Sequence, residues 1–115
     1  MTKSNKKIRD LAGFLKKKPE DSFTKFALAL ELLKLDEVSK ARVLFESILK
    51  QDPQYLGVYY HLGKLYERTG RPKDARTMYT EGIRVAEEQN HERTLAELKE
   101  ALELLNIEMD YDQPQ

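Results

Sequence analysis

Four pairs of like residues stand 34 positions apart in this chain: Pro19 and Pro53, Leu28 and Leu62, Ala41 and Ala75, and the rings of Phe45 and Tyr79. In a sequence rich in Glu, Lys, Leu and Ala, a period of that length marks stacked helix-turn-helix units, each too small to bury its apolar face alone. That spacing restricts the fold more than any local propensity does. The 115 residues, 40% hydrophobic and 35% charged, have a globular composition and the length of one domain overall.

The second period is the more complete. Leu62, Gly63 and Tyr66 fall at i, i+1 and i+4 and so share one helix face. The small Gly63 and Ala75 permit two helix backbones to approach, while Tyr59, Tyr66 and Tyr79 fill the space around that contact. Gly70 can take the left-handed conformation that ends a helix, and Pro72 suits the first turn of the next. The first period has Leu28, Ala29, Leu32, Ala41, Phe45 and Pro53, with Lys25 where the second has Tyr59. It has no glycine at the turn, where Asp36 can accept the special dihedral or cap the next helix.

These residues resemble the tetratricopeptide repeat family, whose pattern runs Trp-x2-Leu-Gly-x2-Tyr, then Ala-x3-Phe, then Pro. The match is strong over residues 22–88. The resemblance implies an all-α fold, a short right-handed superhelix (an alpha-alpha superhelix) of two full repeats flanked by one N-terminal and one C-terminal capping helix. The expected bounds are 1–18 for the N-terminal half repeat, 22–55 for repeat 1, 56–89 for repeat 2 and 91–109 for the C-terminal helix. Residues 110–115 form a tail that should fray. Ile8, Leu11, Phe14 and Leu15 make the apolar face of the first helix. Leu95, Leu98, Leu102 and Leu105 make that of the last, in register with the repeats only if the spacing slips from 34 to 36. Repeat 2 has Glu87 where a closing Pro belongs, so its second helix, 73–88, should run long before a turn at "EQNHE".

Catalysis has little foothold. There is no cysteine, the only histidines are His61 and His91, and "GRPKD" is neither a phosphate loop nor a dinucleotide fingerprint. Two histidines without a third ligand do not make a metal site. The chain is therefore expected to be no enzyme and to carry no metal or cofactor. No stretch approaches the roughly 18 apolar residues of a spanning helix, and "MTKSNKKIRD" has charge without an apolar segment behind it. A cytoplasmic protein without a membrane partner is expected.

The formal charge is zero but unevenly spread. Residues 1–18 carry seven basic groups against Asp10, and residues 91–115 carry seven acids against Arg93 and Lys99. Such runs solvate helix faces; the sharper alternatives are head-to-tail attraction between copies, or an acidic partner for "KKIR" and "KKKP". The basic cluster is short and lacks interleaved aromatics, so nucleic acid is not expected as a partner.

Helical solenoids bind on the surface lined by the first helix of each pair. Placed on the family pattern, that surface comprises Phe23, Phe26, Leu30 and Leu33 from repeat 1 and Tyr60, His61, Lys64 and Arg68 from repeat 2. The resemblance thus implies a non-enzymatic protein-protein interaction module holding a peptide or helix of another protein in a concave groove, with Lys64 and Arg68 meeting an acidic flank. The alternative is a structural self-association unit, a homo-oligomer formed through the apolar first helix of repeat 1. Three coverings compete for the extra apolar face of that helix: the N-terminal helix of the same chain, a bound peptide, or a second copy. Relatives that grip chaperone carboxy-termini use Lys, Asn and Arg at places that here hold Phe26, Leu30, His61, His91 or Arg93, and Leu95 or Glu97. That carboxylate clamp is not expected.

Overall fold

The computed structural model describes residues 3–111. Within them the chain forms six helices and no strand: α1 (Lys3–Lys17), α2 (Ser22–Lys34), α3 (Val38–Gln51), α4 (Leu56–Arg68), α5 (Pro72–Glu88) and α6 (Glu92–Tyr111). The all-α class is the expected one. The helices group into two compact units divided inside α4, between Val58 and Tyr59. α6 continues through Asp110 and Tyr111, where a loose tail was expected; the rest of that tail lies outside the described residues.

Three helices end in the same way. Asp36, Gly70 and Asn90 have φ of 60°, 75° and 56°. At each, two backbone N–H groups turn back onto the last turn: Glu37 donates to the Leu32 carbonyl, Arg71 to that of Tyr66, and His91 to that of Ala86, at 2.7–2.9 Å. This left-handed cap satisfies carbonyls that the helix would otherwise orphan, and Gly, Asn and Asp tolerate it best. Asp36 takes the left-handed dihedral, and Glu37 precedes α3 without a side-chain cap of its own. At the other end of α2, Asp21 accepts from the Thr24 N–H at 2.8 Å and from its hydroxyl at 2.9 Å. Those bonds hold the Asp21 carboxyl below its ordinary range.

In the first unit, α1 and α3 both pack on α2. Leu28, Ala29, Leu32, Ala41, Phe45 and Ile48 form its core. Lys25 joins them at only 7% exposure. Its ammonium donates to Ser47 Oγ at 2.9 Å and Gln51 Oε1 at 2.7 Å. Gln51 Nε2 in turn donates to the Glu20 carbonyl at 2.7 Å and Ser22 Oγ at 2.8 Å. The start of α2 is thereby clasped to the end of α3 by polar bonds where the family pattern has a ring.

The second unit closes on small residues. A Cβ on Gly63 would lie 2.3 Å from the Tyr79 ring, and one on Gly82 2.7 Å from Tyr59 Cβ and 3.0 Å from Leu98. Both glycines are therefore contact points between helices, α4 with α5 and α5 with α6. Tyr79 is fully buried and its hydroxyl donates to Glu67. Leu98 and Ala101 are buried 36 residues after Leu62 and Leu65, the register inferred for the last helix.

Candidate functional site

Each unit presents an open face on the first helix of its pair. In the first unit α2 is held on two sides, and what remains is Phe23, 71% exposed, with Leu30 and Leu33 half-buried. Phe26 stands differently. Its ring lies 5.9 Å from that of Phe45 and 5.3 Å from that of Tyr55, and its tip would sit 3.2 Å from a Cβ on Gly57. Phe26 thus packs within the first unit, rather than lying off the packing face as its spacing suggested.

Of the three coverings considered for α2, the N-terminal helix takes one side. Lys7 pairs with the buried Glu31 at 3.6 Å, and Glu31 also holds Lys34 at 3.1 Å. Beside that pair Lys7, Asp10, Leu11, Ala27 and Glu31 line a hollow of 330 Å³. Phe23 remains outside it.

In the second unit Tyr60 and Lys64 come together with α6. A cleft of 240 Å³ is lined by Tyr60, Lys64, Glu97, Glu100, Ala101 and Leu104. The Lys64 ammonium lies 5.6 Å over the Tyr60 ring and 3.9 Å from Glu67. His61 meets the Tyr60 ring edge-on at 5.8 Å, and burial lowers its imidazole below the ordinary 6.5, so it is neutral at physiological pH. Arg68, exposed in the last turn of α4, does not line the cleft.

Glu97 and Glu100 place two carboxylates beside Lys64, so this cleft carries more negative than positive charge, not the basic lining anticipated for an acidic flank. Glu100 and Leu104 were missed in the sequence. Glu97, Glu100 and Leu104 fall at i, i+3 and i+7, a second stripe on α6 beside the leucine face, and that spacing was the available signal. His91 Nδ1 accepts from the Thr94 N–H at 3.3 Å and so caps α6. Among the described residues no group of three or more His, Asp or Glu is placed to hold a metal ion. None of the helices there is long and apolar enough to cross a membrane.

The tetratricopeptide repeat family model matches residues 32–91, more than half of the chain. The tetratricopeptide repeat domain protein from Salinibacter ruber is 50% identical, over 76% of this chain and 88% of its own, with a TM-score of 0.72. PcrH, solved in complex with the chaperone binding region of PopD, is 15% identical with a TM-score of 0.87, over 93% of this chain and 81% of its own. The TPR2B domain of yeast Sti1, solved as a pHsp70 complex, is 16% identical with a TM-score of 0.80, over 88% and 81%. The last two likenesses show the fold alone. Among curated proteins none matches the sequence.

Proposed function

The chain belongs to the tetratricopeptide repeat family, and from that premise we propose that it is a non-enzymatic protein-protein interaction module. Its binding faces are the open sides of α2 and α4, and its ligand is a peptide or helix of another protein. The observation that carries this reading is Phe23: a ring 71% exposed on a helix packed by α1 and α3. Leu30 and Leu33 continue its apolar side, and Tyr60 with Leu104 supplies a second apolar contact in the cleft of the other unit. Apolar anchors surrounded by charge are how such surfaces hold a partner. PcrH and Sti1 were each solved with a segment of another protein, which supports the mode of action without identifying the partner here. Phe26 and Leu30 leave no charge or amide at two places where a carboxylate clamp needs them, so a chain terminus is not the ligand feature recognised.

The experiment is a peptide-display selection on the full chain, followed by titration of a selected peptide. Phe23→Ser with Leu30→Ser, or Tyr60→Ala with Lys64→Ala, should weaken binding at least about tenfold, the loss of one good anchor. Val43→Ser, at a 56% exposed position on α3, should leave it unchanged. Equal affinity of all three variants would move the site away from these faces.

A further inference from the structure

Apart from those faces, a further surface on α6 has a partner within this same sequence. Lys99, Leu102, Glu103, Asn106, Ile107 and Asp110 line a hollow of 370 Å³ along the helix. Ile107 is 57% exposed, with Glu103 four residues before it and Asp110 three after it on one face. Among the described residues neither carboxylate has an ion-pair or hydrogen-bond partner.

α1 has the complementary character. Phe14 stands 34 residues before Ile48, which is fully buried in α3, yet Phe14 is 44% exposed. Lys6 and Lys17 lie on the same side of α1 as Phe14, also without partners among the described residues. Overall α1 carries six basic groups against Asp10, and α6 six acids against Arg93 and Lys99.

We propose that α1 of one copy docks on the Leu102–Ile107 face of α6 of a second copy, with Phe14 against Ile107 and Lys6 and Lys17 meeting Glu103 and Asp110. The contact uses two different surfaces, so it is heterologous and repeats from copy to copy, giving a ladder of oligomers in place of a closed symmetric dimer. Its faces are small and charged, so it is concentration-dependent and sensitive to salt. None of Phe14, Lys6, Lys17, Ile107, Glu103 or Asp110 lines the cleft of the peptide-binding reading, so the two proposals stand or fall separately.

Light scattering over a concentration series tests it. The wild-type mass should rise above that of one chain in dilute buffer and return to it at about 1 M salt, where the screening length is about 3 Å. Lys6→Glu with Lys17→Glu, and Glu103→Lys with Asp110→Lys, should each be monomeric alone. Mixed one to one they should recover the ladder of oligomers, because each α1 then meets an α6 of opposite sign on the other variant. Circular dichroism checks that each variant keeps its helicity. If one does not, single substitutions decide: the chain has no cysteine, so Lys17→Cys and Asp110→Cys should crosslink to each other under mild oxidation more than either does to itself. A wild type monomeric at every concentration, charge-reversed variants that fail to pair, or Lys17→Cys that prefers itself would each overturn the proposal.

Discussion

In the α4–α5 hairpin the Tyr79 ring occupies the space a side chain on Gly63 would need, and its hydroxyl reaches Glu67 on the facing helix. In α2–α3 the residues 34 positions earlier are Phe45 and Ala29, both fully buried. Here the missing hydroxyl goes with an apolar Leu33 in place of Glu67, and the Phe45 ring leans on Phe26. At the mouth of the hairpins the contrast reverses: Tyr59 packs against Gly82 in one, while Lys25 is held by Ser47 and Gln51 in the other. One backbone arrangement thus accepts a polar closure at either end, provided every buried polar group finds its partner.

Gly63→Leu probes the closest approach and should have the largest effect. With Tyr79 already inside contact distance of a Cβ, the cost should be about 3 kcal/mol, at the upper end of overpacking. Ala29→Gly, at the matching place in the first hairpin, should cost only about 1 kcal/mol from helix propensity. Urea denaturation of both variants gives the comparison directly; equal, small losses would mean that the two hairpins close alike.

Lys25→Ala should come next. Removing the ammonium leaves Ser47 and Gln51 short of a donor in a part-buried place, a loss of about 2 kcal/mol. Combined with Gln51→Ala it should be non-additive by about 1 kcal/mol, as bonded neighbours are. Strict additivity would reduce the clasp to two independent surface residues.

The smallest effect is expected from Tyr79→Phe, which makes the second hairpin resemble the first and should cost about 1 kcal/mol for the lost bond. It has a second readout in pH. Burial, and then the bond to Glu67, pushes the Tyr79 phenol well above the ordinary value of 10, so the folded chain keeps a proton that the unfolded chain releases. Its contribution to stability is present below pH 10 and declines as pH rises beyond it. Chemical denaturation at rising alkaline pH should show a shallower decline in Tyr79→Phe than in the wild type.

How far the sequence carried the fold can be judged at single residues. Gly70 and Pro72 punctuate the second hairpin by dihedral constraints that belong to the residue itself, so they were legible. Asn90 was not singled out, though it obeys the same rule. The 36-residue slip was legible because burial of Leu98 follows from helical spacing. Phe26 was misplaced: helical spacing puts it off the Leu28 and Leu32 face, but the Phe45 and Tyr55 rings are large enough to reach around to it.

What the sequence determined by itself was therefore the class of fold, the spacing of its buried positions and the turn at Gly70 and Pro72, all of which rest on helical period and on local backbone preference. Only the tertiary structure decided that Lys25 is buried, that Phe26 is shared with the packing, and that Tyr60 and Lys64 face Glu97, Glu100 and Leu104 across a cleft. Those outcomes depend on which side chains from separate helices meet, and side-chain reach, unlike helical period, is set by the neighbour as much as by the residue.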